Sequence, residues 1–204
     1  DDAWVKEIYT MLLEKCVSLS HYTELTDAIA ATLKDEKWIR SIYKDIEAKS
    51  TENSDLVKLA AIAVKKLNDT AWAADLLQKA EAGCKTIYDY TFVAGAFLRL
   101  LGDREKAGAL FEAAEATCTD RQSYSRLVTL VQGQTTDTAF LTRILISAKQ
   151  KLTGFEDMLF LAQSALIQLK DTQLAAQLYT LAEEKAGDTR RLSRLATSLD
   201  NQMD

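Results

Sequence analysis

The stretch Leu101-Gly102-Asp103-Arg104-Glu105-Lys106-Ala107-Gly108-Ala109-Leu110-Phe111-Glu112-Ala113-Ala114-Glu115 opens on a Gly-Asp turn and runs into a helix with one apolar face. Weaker copies of it recur along the 204-residue chain. The turn Asp stands at Asp1, Asp35, Asp69, Asp103, Asp137 and Asp171, each 34 residues after the last, and six such periods fill the sequence. A fixed period of this size is the signature of units that stack one on the next.

Other columns keep the period. Val5, Ile39, Ala73, Ala107, Leu141 and Ala175 follow the Asp by four. Tyr9, Tyr43, Leu77, Phe111, Leu145 and Tyr179 follow by eight, and Leu12, Ile46, Ala80, Ala114, Ala148 and Ala182 by eleven. These offsets share one face of an α-helix. Asp is a strong N-cap, because its carboxylate accepts from an orphan backbone N–H. Each Asp therefore starts a helix, termed B. A second helix, A, precedes each later Asp. It carries the columns Leu25, Leu59, Val93, Leu127, Leu161, Leu195 and Thr26, Ala60, Ala94, Val128, Ala162, Ala196. The spacing predicts a B half-unit over 1–17, helix pairs over 20–48, 55–83, 88–117, 122–151 and 155–185, and an A half-unit over 189–203. The Leu column of the A helices is expected to be nearly fully buried. Ser54 is the expected cap of the second A helix, and glycines at Gly83 and Gly187 are expected to end B helices.

The chain resembles the tetratricopeptide repeat family. Gly102-Asp103, Ala107, Phe111 and Ala114 match that family's turn and second-helix positions. Tyr90, Val93 and Ala94 stand where its first-helix Trp, Leu and Gly would stand. Two departures are plain: the helix-A columns sit one residue early relative to the turn, and the closing Pro is missing because the chain has no Pro. The resemblance implies an all-α, right-handed superhelix, or solenoid, of antiparallel helix pairs, about twelve helices in one domain over 1–204. It also implies a concave, A-helix-lined face that holds a peptide or a partner helix. The family's chaperone-tail binders clamp a terminal carboxylate with Lys and Asn. Here those Asn places hold Ala28, Ile62, Ala96 and Leu130, or Asp27, Ala61, Gly95 and Thr129 in the adjacent register, so that activity is not expected.

Composition narrows the function further. A formal net charge of −5 argues against a general nucleic-acid binder. No run of about 18 apolar residues spans a membrane, and no secretory signal opens the chain. Because it starts at Asp1 and not Met, it is expected to be a processed or excised piece of something longer. Cys16, Cys84 and Cys118 each follow their Asp by 15. Stacked equivalents lie about 8–10 Å apart, beyond disulfide reach. Free thiols and a reducing, cytoplasmic setting are therefore expected.

No catalytic apparatus is legible. His21 is the only histidine, and its place at a helix start points to a surface or capping role. No metal site, phosphate loop or cofactor site is expected, and the chain reads as no enzyme. Trp4, Trp38 and Trp72 share a column three residues after the Asp. They read as flank contacts between successive B helices in preference to an aromatic ladder for a ligand. The remaining surface is the residue before the Leu column: Glu24, Lys58, Phe92, Arg126, Phe160 and Arg194, with Lys65 and Arg99 near helix-A ends. The expected partner-binding residues are Lys58, Lys65, Phe92, Arg99, Arg126 and Phe160. They are expected to converge on a groove for an acidic or amphipathic protein segment, with Phe92 as an apolar anchor. The alternative is a structural repeat segment, acting in end-to-end self-association or spacing within a longer protein. A third reading makes the chain an appendage of a hydrolase or transferase domain elsewhere.

Overall fold

In the computed structural model, residues 2–200 are described. Asp1 and residues 201–203 of the expected last half-unit lie outside them. The described residues form twelve α-helices and no strand, so the fold is all-α. The chain divides into two compact units, Asp1–Cys84 and Lys85–Asp204. The first holds α1 (Asp2–Leu13), α2 (Leu19–Thr32), α3 (Glu36–Lys49), α4 (Asn53–Leu67) and α5 (Thr70–Ala82). The second holds α6 (Ile87–Ala96), α7 (Arg104–Ala116), α8 (Arg121–Gln134), α9 (Thr138–Lys151), α10 (Phe155–Ser164), α11 (Thr172–Glu184) and α12 (Thr189–Asp200). Odd-numbered helices are the B helices and even-numbered ones the A helices. The boundary between the units falls between complete A–B pairs.

The B helices start where the Asp column places them. The carboxylates of Asp35, Asp69, Asp103 and Asp171 accept from the amides of Trp38, Trp72, Lys106 and Leu174 at 2.9–3.0 Å. Asp137 accepts from Ala139 at 3.0 Å. Before four of these caps the backbone is left-handed, at Lys34, Asn68, Gly102 and Lys170. Gly102 takes that conformation without a Cβ clash, whereas the two lysines carry its steric cost. Three of these turns then close alike, while at the first the amide of Lys34 bonds the carbonyl of Ile29. The amide of Asp69 bonds the carbonyl of Ala63, Asp103 that of Phe97, and Asp171 that of Ala165, at 2.9–3.2 Å. The last turns of α6 and α10 widen into π-helix over Phe97–Leu101 and Ala165–Leu169. A π turn holds one extra residue. Helix α4 keeps the same column spacing to its Asp without one.

Packing follows the columns. Leu59, Val93, Leu127 and Leu161 are each 0% exposed. Beside them Ala60, Ala94, Val128 and Ala162 are buried, and their small side chains let neighbouring helices approach. From the B helices come Tyr43, Leu77, Phe111 and Leu145, with Ala80, Ala114, Ala148 and Ala182 behind them, all buried. The heaviest packing joins α4 to α5, α6 to α7 and α10 to α11, where two residues connect an A helix to its B helix. Within the second unit α6 also packs on α8, and α7 on α9.

Several local expectations are corrected. The first helix ends at Leu13, not at 17, and its Leu12 is exposed. Helix α4 begins at Asn53, which puts Ser54 inside the first turn. Glu52 takes the cap position and makes no side-chain bond. Gly83 does end α5 as its C-cap, but with an ordinary right-handed backbone. Helix α5 instead closes by tight i→i−3 bonds, Gly83 to Ala80 and Cys84 to Glu81. The same closure ends α7 and α11 and turns Cys84, Cys118 and Ala186 inward. Gly187 is left-handed, as its place predicts.

Leu127 sits without exposure in α8. Leu127→Ala should lower unfolding free energy by about 2–5 kcal/mol in urea titrations monitored by circular dichroism.

Hydrogen bonding holds the Asp35 and Asp69 carboxylates below the usual range, for Asp35 chiefly from Lys6 and for Asp69 chiefly from the Trp72 amide. A carboxylate with a depressed native pKa adds stability that is complete above its unfolded pKa, about 3.9. That stability is lost as pH falls through the native value. Asp69→Asn keeps a competent cap and removes the titration. It should leave the melting temperature near pH 7 little changed and make the acid decline below about pH 4 shallower. Thermal melts from acid to neutral pH check both halves.

Candidate partner-binding groove

The A helices of the second unit border a groove of about 760 Å³. Its wall is built by column. Tyr88, Gln122 and Glu156 are 34 residues apart on α6, α8 and α10, and Arg126, Phe160 and Arg194 are 34 apart on α8, α10 and α12. The buried Leu127, Leu161 and Leu195 fix the rotation of their helices. The residue before each Leu is turned about 100° away from it, which brings Arg126, Phe160 and Arg194 to the groove. Leu130 and Leu159 add apolar surface.

The charges are tied across neighbouring helices. The Arg126 guanidinium lies over the Tyr88 ring, 5.9 Å from its centre. Glu156 accepts from both nitrogens of the Arg194 fork, with Nη2 at 3.0 Å. It also accepts from Nη1 of Arg121 at 3.4 Å. The groove thus sets three arginines against one glutamate, in a chain of net charge −5.

Of the six residues expected to bind a partner, Arg126 and Phe160 line this groove. Phe92 is half-buried on α6 and is not part of its lining. Arg99 is spent elsewhere: it donates to the Gln134 side chain at 2.5 Å. That pair lies across Gly95, where a Cβ would come within 2.0 Å of the Gln134 oxygen. Lys58 and Lys65 belong to the first unit. Lys58 pairs with Asp55 of its own helix at 3.1 Å, and Lys65 is exposed.

Trp38 and Trp72 make flank contacts between B helices, whereas Trp4 is exposed. Trp72 is buried, its Nε1 donates to Glu47 of α3 at 2.8 Å, and Lys44 of α3 stands 4.4 Å from its ring centre. Lys6 of α1 stands likewise over Trp38, at 4.7 Å. In the same column, Phe140 meets Phe111 edge-on at 5.1 Å. Two acids serve these interfaces. Burial pushes the Glu47 carboxyl up, but hydrogen bonds from Lys79, Trp72 and Lys44 outweigh it and hold it below the usual range. Glu115 is buried on α7 and accepts from Tyr124, Ser147 and Lys151. Burial raises the Tyr124 phenol. Sequence reading missed both acids. The signal was present as a Glu column twelve residues after the Asp, at Glu47, Glu81, Glu115 and Glu183.

His21 is exposed, and its amide donates to the Ser18 cap of α2 at 3.3 Å. The three cysteines are free thiols, Cys84 and Cys118 buried and Cys16 half-buried. Among the described residues, no three His, Cys, Asp or Glu side chains come together as metal ligands would, and no helix is long and apolar enough to cross a membrane. The chain matches no protein-family model, no curated protein and no solved structure.

Proposed function

We propose that the chain is a non-catalytic helical-repeat scaffold of tetratricopeptide-like type, and that it holds an acidic or amphipathic segment of another protein in the α6–α8–α10–α12 groove. The observation that carries this reading is the groove itself. It draws its walls from four A helices and gathers an excess of arginine in an acidic chain. Phe160, Leu130 and Leu159 supply apolar anchorage beside those charges. Arginine suits such a surface, because its planar fork pairs with carboxylates and its stem covers apolar neighbours. A second reading, self-association, is favoured by one observation: α1 exposes Trp4 at 64%, Met11 at 52% and Leu12 at 42%.

Partner capture from a proteome, followed by titration of the captured protein, tests the first reading. Arg126→Glu and Phe160→Ala should each weaken binding at least tenfold while leaving helicity and melting temperature nearly unchanged. Binding should also weaken with salt, since exposed charges are screened over about 8 Å at physiological ionic strength. A partner that binds Arg126→Glu as well as the parent would remove the groove from the function. Sedimentation across a range of concentrations separates the second reading, which requires association that Trp4→Ser abolishes.

A further inference from the structure

One contact between successive B helices recurs in both units. Residues eight, nine and twelve after one Asp receive residues three, six and ten after the next. On α3, Lys44 stands 4.4 Å from the Trp72 ring centre, and Glu47 accepts from the Trp72 indole and from Lys79 of α5. On α7, Phe111 meets the Phe140 ring edge-on, Glu112 pairs with Arg143 and Glu115 accepts from Ser147, all three from α9. The side chains differ but the positions do not. Each of these B helices seats an aromatic ring of the next.

The same three positions on α11 hold Tyr179, Thr180 and Glu183. They line a pocket of about 360 Å³, with Leu195 and Leu199 of α12 beside them. Among the described residues no B helix covers it. Leu199 is 39% exposed, although Ile29, Ala63, Val131 and Ala165 of its column are fully buried. The matching half stands on α1. Its residues three, six and ten positions after Asp1 are Trp4, Glu7 and Met11, all exposed. Trp72 of that column is 4% exposed, Trp4 64%.

We infer that α1 of one copy of the chain seats on α11 and α12 of another, as a following B helix would, with Trp4 in the pocket and its indole N–H donating to Glu183. The occupant is a second copy because the chain itself presents the other half of the contact: an exposed ring at the third position and an exposed apolar side chain at the tenth. Different patches meet on the two copies, so the contact is heterologous and can repeat from copy to copy. This inference is independent of the groove. It rests on the self-association reading, for which it names the second surface.

The test is sedimentation velocity of the full chain, whose mass should rise with concentration. Trp4→Ser removes the ring. Thr180→Glu sets an acid against Glu7, where Glu112 of α7 has Arg143. Trp4 and Thr180 are both exposed, so each variant should keep its helicity and stay monomeric. Mixed in equal amounts, the two variants should form a heterodimer and nothing larger, because one keeps an intact α11 seat and the other an intact α1. Glu7→Arg added to the Thr180→Glu chain should restore its self-association. A parent that stays monomeric at every concentration overturns this inference and the self-association reading together. Association that Trp4→Ser abolishes but Thr180→Glu does not, or a mixture that forms no heterodimer, overturns the seat on α11 and leaves self-association through α1 standing.

Discussion

Every B helix after the first begins at an aspartate whose carboxylate accepts a backbone amide, and the packing of both units depends on that cap. The cap fixes which residue is the first helical one. That in turn fixes which residues, four, eight and eleven positions on, face the core. A helix shifted by one residue would rotate its apolar stripe by about 100° and present polar residues to the A helices. The same carboxylates also accept cations from the preceding B helix: Lys6 on Asp35, Arg40 on Asp69 and Arg104 on Asp137. Exposed ion pairs of this kind contribute about 0–1 kcal/mol, whereas a cap contributes typically about 1. Local helix initiation therefore outweighs the cross-helix pair, although one group serves both.

The turn before the cap works against the side chains that form it. At Gly102 a left-handed backbone is free of steric cost, but Lys34 and Lys170 hold the same conformation with a Cβ present. Where two residues join the helices, at Asn68, Gly102 and Lys170, the first is left-handed, whereas the three-residue connection from α8 to α9 has no left-handed residue. Two of these connections follow π turns, at Phe97–Leu101 and Ala165–Leu169. They widen the ends of α6 and α10, whereas α4 keeps the same ten-residue spacing from buried Leu59 to the Asp69 cap as a regular α-helix.

What the sequence disclosed and what it hid divide along physical lines. The caps, the buried Leu column and the alanine columns were legible because a helix period and a cap are local properties repeated five or six times. Leu59, Val93, Leu127 and Leu161 could be placed from spacing alone. The π turns left no trace, since α4 has the same column spacing without one and their formation depends on local hydrogen bonds. Glu47 and Glu115 were hidden for another reason. On their own helices they look like members of a solvated face. They become interface groups only because Trp72 in one case, and Ser147 with Tyr124 in the other, supply donors from a neighbouring helix. For the groove, the column of Arg126, Phe160 and Arg194 was readable, but Arg99 was not separable from it. About two helical turns beyond that column's place on its helix, Arg99 finds Gln134 of α8 and not the groove.

This division of labour also accounts for a cationic groove in an acidic chain. Five aspartates are committed as B-helix caps, and Glu47 and Glu115 are committed to contacts between B helices. Acids also cap the A helices of the second unit, through Asp89, Asp120, Asp157 and Asp188, but these sit at the helix starts. The A helices of the second unit have no such demand at their groove-facing columns, and there arginine and aromatic residues stand with a single acid among them. Glu156 ties Arg121 and Arg194 in place, and Tyr88 supports Arg126. The arginines are thus ordered before any ligand arrives, which lowers the side-chain entropy that binding would otherwise cost. The two supports differ in consequence. An aromatic ring holds a guanidinium by its face and leaves the donors of its edge open to a carboxylate, whereas a glutamate orders the fork by filling it.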